Sequence, residues 1–235
     1  MLSPSQFLIL PAQPPDTNKV YDIYFRAFAG SALTRILFPS AFPSPSDTLP
    51  TAEFRASHTA HTLAWLASPA SSFQYTFKAV DVENGEVVGM GLWDIHYKHR
   101  DEEEWKWKGV EWLASTERER AEQLLGEMVH TKERFVGGKP HVYCHVIAVH
   151  PEYQKRGIGR RLMQWGVEVG EQAGLPVYLE SSKEGEGLYR SLGFEEVGRV
   201  RHRAELIGES EDVEVPLMVR MPGSLGIGWV EWCKQ

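Results

Sequence analysis

Val142-Tyr143-Cys144-His145-Val146-Ile147-Ala148-Val149-His150-Pro151, followed at once by Glu152-Tyr153-Gln154-Lys155-Arg156-Gly157-Ile158-Gly159-Arg160-Arg161, is the stretch on which the fold turns. Its first half is apolar with few interruptions and ends at His150-Pro151, as a central strand buried on both faces should. Beyond it Ile158, Leu162, Gly166, Val169 and Ala173 recur at steps of three or four, and Gly174 with Pro176 ends a helix. The loop between strand and helix holds two glycines. At a helix N-terminus several backbone N–H groups lack acceptors and the macrodipole is positive, so a phosphate is stabilised there by hydrogen bonds and field together. Glycines leave room for its approach, and Lys155, Arg156, Arg160 and Arg161 add positive charge.

Three nucleotide motifs compete for this loop. A phosphate-binding NTPase loop needs Gly-Lys followed by Ser or Thr, which is absent. A dinucleotide fingerprint needs a glycine where Leu162 stands, although Glu180 sits about where its acidic ribose ligand would. Gly-x-Gly alone also describes a plain turn into a helix. The larger pattern decides, because Leu188-Tyr189-Arg190-Ser191-Leu192-Gly193-Phe194 follows in order. The chain resembles the GNAT superfamily, the Gcn5-related N-acetyltransferases, in its Gln/Arg-x-x-Gly-x-Gly/Ala acyl-CoA motif and its Leu-Tyr-x-x-x-Gly-Phe motif. The match covers residues 142–200, and the rest of the chain carries no specific motif.

The resemblance implies an α/β (α+β) fold: a mixed, mostly antiparallel sheet splayed between its fourth and fifth strands, flanked by helices, with acetyl-CoA as cosubstrate in the cleft. Ile147, Ala148 and Val149 would meet the acetyl group and pantetheine through their backbone, although a plain core strand explains the same apolar residues. Gln154, Lys155, Arg156, Gly157, Ile158, Gly159 and Arg160 would hold the pyrophosphate, and Ser182 and Tyr189 complete the implied cofactor contacts. No metal is expected, since the histidines lack ligand spacing and the two cysteines are isolated.

Amine acetylation needs a base, an oxyanion donor and an acid. By resemblance Tyr189 is the acid, since a phenol is protonated at neutral pH, and the Ile147 N–H binds the oxyanion. Packing of the short helix against the sheet is the competing role for Tyr189. His145 lies two residues before Ile147, so strand alternation predicts both side chains on one face, with the imidazole placed to accept a proton. The spacing of His145 and His150 is similar to that of arylalkylamine N-acetyltransferases, where a histidine at this place serves proton removal. Their additional histidine is Tyr143 here. A satisfied core histidine is the other explanation for His145, and Asp94 and His96 are rival bases.

Outward from this core, Phe7 to Leu10 reads as a strand and residues from Thr17 as a helix capped by Asp16 or Thr17. Prolines between Pro39 and Pro50 predict a semi-rigid loop, and Ala52 to Leu66 a helix. Alternation from Phe73, then Asn84-Gly85, then Val87 to Trp93 predicts a hairpin. Residues 98–140 read as a charged, helical insertion whose main helix starts at a capping box of Thr116 and Glu119. Short strands at Val177 to Leu179, Phe194 toward Arg203 and Val215 to Met221, with a helix at Glu186 to Ser191, complete a chain expected to form one domain over residues 1–235.

Acceptor choice is expected from two segments outside the motifs: the proline stretch Phe38 to Pro50 and the insertion. Trp105, Trp107 and Trp112 offer aromatic faces among carboxylates for a protonated amine, or simply pin the insertion to the core. The chain has 235 residues, 42% hydrophobic, with net charge -7, which disfavours nucleic acid and anionic membrane as partners. Cysteine usage and the absence of a long apolar run predict a soluble, cytoplasmic protein. The leading expectation is an N-acetyltransferase for a small primary amine. A protein or peptide acetyltransferase, suited by the acidic run Asp101 to Glu104, and a non-catalytic CoA-binding module are the alternatives.

Overall fold

The computed structural model describes residues 6–67, 73–110 and 115–235. Its strands are β1 (Phe7–Pro11), β2 (Phe73–Asp81), β3 (Val87–His96), β4 (His141–Val149), β5 (Val177–Glu180), β6 (Glu195–His202) and β7 (Val213–Arg220). The helices are α1 (Thr17–Phe28), α2 (Ala32–Leu37), α3 (Ala52–Leu66), α4 (Glu102–Trp105), α5 (Ser115–Val136), α6 (Ile158–Ala173), α7 (Glu186–Ser191), α8 (Ala204–Ile207) and α9 (Trp229–Trp232). The strands form one sheet in the order β1-β2-β3-β4-β5-β7-β6, antiparallel throughout except where β4 runs parallel to β5. The expected mixed, mostly antiparallel sheet flanked by helices is what forms.

Each face of the sheet is covered by the helix that its small residues admit. Helix α6 lies on the face where Gly89 and Gly91 leave room for Ile158 and Leu162, and Gly166 lets the Trp93 ring sit against the helix backbone. On the opposite face Val20 and Ile23 of α1 bury Met90, Leu92 and Ala148. Farther along, Met128, Phe135 and Val136 of α5 cover Tyr143, Tyr178 and Leu217. The insertion thus supplies the second cover of the sheet.

The β2–β3 hairpin turns through Asn84 and Gly85, and Gly85 adopts φ 73°, which favours glycine. Two local expectations change. Asp16 does not cap α1; its carboxylate accepts from the Gln13 N–H at 2.8 Å and pairs with Lys78 at 2.7 Å, closing the turn before the helix. The proline segment is not wholly irregular, because Pro39 opens a 3-10 turn at the position where its missing N–H costs nothing. Its stiffness comes from Arg35 on α2, whose guanidinium donates to the carbonyls of Ala29, Ser44, Pro45 and Asp47. Trp112 and the Thr116 side chain lie outside the described residues.

Candidate active site

The β4–β5 ladder is short. Val142, Tyr143 and Cys144 pair with Val177, Tyr178 and Leu179, but β4 runs on to Val149 with β3 as its sole neighbour. Tyr143 donates its hydroxyl to Glu180 at 2.8 Å where the two strands part. The His150 N–H donates to the Val88 carbonyl of β3 at 2.9 Å. Antiparallel alternation from that bond turns the N–H and C=O of Ile147 and Val149 away from β3, to the side β5 has left. In keeping with this, the Val149 carbonyl accepts from Gln154 Nε2 at 3.3 Å.

Helix α6 starts beside this gap. Lys155 (φ 60°) and Gly157 (φ 81°) are left-handed, which curls successive N–H groups into the concave arrangement that binds anions. A side chain at Gly159 would meet Leu188, Ile147 and Val149 at 3.4 to 3.9 Å, so the first turn lies directly against the open edge of β4. The basic side chains around it are partly engaged: Arg156 donates to the Glu152 carbonyl and covers the Tyr153 ring, and Arg160 donates to Ser191. Lys155 is exposed. Ser182 accepts the Gly185 N–H at 3.2 Å, closing the turn that leads into α7.

Tyr189, on α7, is buried in the same cluster as Cys144, the last β4 residue paired with β5. Burial, then the neighbouring Cys144, push its phenol well above the ordinary tyrosine value. It remains protonated across the physiological range.

Strand alternation fails at His145. Trp93 pairs with Cys144 and Leu92 with Val146, so His145 is an extra residue, a β-bulge. The bulge shifts the phase of β4 by one. Ile147 and Val149 consequently share the α6 face with Cys144, whereas Val146 and Ala148 face α1. His145 belongs to the α1 side: its ring lies 4.2 Å from that of Tyr143, and its Nε2 is 2.7 Å from the Asp94 carboxylate. The expected common face for His145 and Ile147 is therefore overturned.

Asp94 and His96 also separate in character. Burial would raise the Asp94 carboxyl, but the hydrogen bond and charge of His145, with a 3.1 Å donor from Gln74, bring it down to about 2. It is a fixed anion beside His145. Burial, followed by the charge of Arg100, lowers His96 to about 4, and its ring lies 4.7 Å from buried His141, which burial also holds neutral. A base so depressed takes a proton poorly at neutral pH.

His145, Asp94 and Tyr143 open into a cleft of about 230 Å³ closed by the insertion. Trp105, Arg100 and Glu104 come from the segment before α5, and Lys132 and Glu133 from α5 itself. Trp105 is held there by Gly137 and by Gly138 at φ 72°, which leave space for its indole. Trp107 points elsewhere, packing with Val110 and Ala121, so it pins the insertion. No residue from 39 to 50 lines this cleft. A larger hollow of about 420 Å³, beyond Gln74 and walled by Tyr21, Thr62 and Trp165, holds none of the expected site residues.

Sequence reasoning missed Gln74, Arg100 and Lys132, because contact between a hairpin and a long insertion leaves no periodic signal, and it noted Glu180 only as a ribose ligand, whereas its carboxylate accepts from Tyr143. Among the described residues no group of three His, Cys, Asp or Glu side chains is gathered as a metal site requires. Among the described residues no helix is long and apolar enough to cross a membrane.

A sequence model of the acetyltransferase (GNAT) family matches residues 33–194. The Ajellomyces capsulatus protein named "Probable acyltransferase SID5" is 31% identical over 136 residues, 57% of this chain and 94% of that protein. Arylalkylamine N-acetyltransferase 2 of Aedes aegypti superposes with a TM-score of 0.64 at 12% identity, covering 92% of this chain and 99% of that one. A phosphinothricin acetyltransferase of Sinorhizobium meliloti, solved in complex with AcCoA, gives 0.50 at 17% identity over 94% of this chain and 90% of that one.

Proposed function

The chain belongs to the GNAT acetyltransferase family, and from that premise we propose that it transfers an acetyl group from acetyl-CoA to a primary amine of a small molecule, by direct attack within a ternary complex. The observation that carries the reading is the His145–Asp94 pair on the far side of β4 from the α6 N-terminus. A cosubstrate held at α6 and passing through the β4–β5 gap leaves the opposite face for the amine, and the cleft beside His145 there holds an imidazole backed by a carboxylate.

The local geometry suits acetyl-CoA as substrate. The left-handed turn from Lys155 to Gly157 and the open N–H groups of Ile158, Gly159 and Arg160 fit the pyrophosphate. The backbone of Ile147 and Val149, turned away from β3, fits the pantetheine amides and the thioester oxygen. Acetyl-CoA supplies an activated acetyl thioester. His145 takes the proton from the amine, and Asp94 fixes its tautomer and stabilises the imidazolium. The Ile147 N–H meets negative charge growing on oxygen. Tyr189, protonated and on the cofactor side, gives its proton to the departing sulfur.

Mass-detected acetylation of a panel of small amines and lysine peptides tests this. Acetylation of small amines supports it; acetylation confined to peptides moves the acceptor to a protein. CoA binding with neither hydrolysis nor transfer leaves a regulatory module. The acidic run that favoured a peptide has a local role, since Asp101 and Glu104 cap α4 and Glu102 pairs with Lys106.

A further inference from the structure

We propose that the acceptor carries an anionic group, a carboxylate in the first instance, and that Arg100 and Lys132 recognise it at the insertion side of the cleft, which makes the preferred acceptor an amino acid rather than a simple alkylamine. This rests on the amine-acetylation reading above and names its substrate class.

The charges lining the cleft are unevenly satisfied. Of its carboxylates, Asp94 is held by His145 and Gln74, and Glu133 by the Trp107 N–H at 2.6 Å and His130 at 3.0 Å. Glu104 accepts the Asp101 N–H at 3.1 Å through one oxygen. The two cations differ. Among the described residues no side chain or carbonyl accepts a hydrogen bond from the Arg100 guanidinium or the Lys132 ammonium, and neither forms an ion pair, although Glu104 and Asp94 lie close enough to favour the charged guanidinium. Arg100 Nε is buried without a partner, and burial lowers the guanidinium below its ordinary value. Lys132 Nζ rests over the Tyr143 ring, 4.2 Å from its centroid, and the His145 ring packs against the same tyrosine.

Arg100 and Lys132 thus bring to the cleft donors that no acceptor holds, although carboxylates lie nearby, and a polar atom taken from water, such as Arg100 Nε, costs free energy until it is hydrogen-bonded. Asp94 and His145 lie at one side of the same cleft. A molecule with an ammonium and a carboxylate meets both: its amine reaches His145 while its carboxylate takes the planar fork of Arg100 and the Lys132 ammonium. Trp105 and Tyr143 wall the cleft for the carbon chain between them.

The test acetylates γ-aminobutyrate and ε-aminocaproate, each beside its carboxamide, with the full chain and acetyl-CoA. The expected result is a kcat/KM preference for acid over amide of roughly tenfold to a hundredfold, the range of a charge-assisted hydrogen bond. Arg100→Met and, separately, Lys132→Met should collapse that ratio toward one through KM, with CoA affinity unmoved, and Arg100→Lys should restore part of it. Arg100→Met should fold about as stably as the wild type, because it removes a buried Nε that has no hydrogen-bond partner. Equal use of acid and amide by the wild type overturns the proposal, as does equal loss of both in the variants. If no amine is acetylated, the transferase reading fails on its own. Calorimetry of ε-aminocaproate against its amide with CoA present then judges the subsite: tighter binding of the acid, lost in Arg100→Met, upholds it, and equal affinity removes it.

Discussion

His145 Nε2 lies 2.7 Å from an Asp94 carboxylate that Gln74 holds from its other oxygen. The three residues come from β4, β3 and β2, so the pair is fixed by the sheet itself. His145 keeps the alternation of Tyr143 and Cys144 and so lies on the face of Tyr143 and Asp94; the bulge after it carries Ile147 and Val149 to the α6 face. An irregularity of one residue thus separates the His145 ring from the Ile147 side chain by the thickness of the sheet.

His145→Ala should remove the low-pH limb of the kcat/KM profile, measured from pH 5 to 9 with a fixed amine. Asp94→Asn keeps the shape but loses the charge that stabilises an imidazolium, and should lower kcat by roughly 10²-fold with CoA affinity intact. An unchanged profile in His145→Ala would take the base role away from this residue.

Tyr189→Phe removes the proton donor and keeps the buried ring. We expect kcat to fall about 10²-fold or more, with the melting temperature and CoA affinity near wild type. A large loss of stability with proportionate loss of activity would mean that the hydroxyl serves packing.

Gly159→Glu places bulk and negative charge where the first turn of α6 faces the open edge of β4. Calorimetry should show CoA affinity collapsing while the circular dichroism spectrum is retained. Wild-type affinity in a folded variant would remove the pyrophosphate from this turn.

Gly166→Ala tests the scaffold. Its new Cβ would fall inside the Trp93 ring, so α6 must lift from β3, and stability should drop by about 2 kcal/mol or more in urea.

Acid should destabilise the protein in a defined window. The His96 pKa is lowered in the folded state to about 4, so folding keeps His96 neutral. Its stability contribution is unaffected above about pH 6.5 and is lost as pH falls toward 4, by about 3 kcal/mol in total. Buried His141, lowered in the same direction, adds to the fall. Urea titrations at stepped pH should show this slope, and His96→Phe should flatten it.

The architecture was legible because β4, α6 and the hairpin have unambiguous periodicity and glycine punctuation. Helix α2 was not: Ala32–Leu37 is too short to show a period, and it matters through Arg35, whose carbonyl partners lie across a proline loop. The turn into α6 could be read from its glycines. That His145 and Ile147 lie on opposite faces could not, because alternation assumes one residue per rung and a bulge breaks the count without any signature in residue type. Arg100 and Lys132 were invisible for another reason: both read as ordinary charges in a charged segment until α4 and α5 fold over the sheet.

The unpaired stretch of β4 has a consequence for measurement. The amides of Ile147 and Val149 have no ladder partner to slow their exchange with deuterated solvent, while those of Val146 and Ala148, directed at β3, do. Two fast and two slow protons alternate along four residues. Once a cosubstrate accepts from the fast pair, all four should exchange slowly. The strand thereby carries its own isotopic gauge of occupancy, readable without a labelled ligand and before any acceptor is identified.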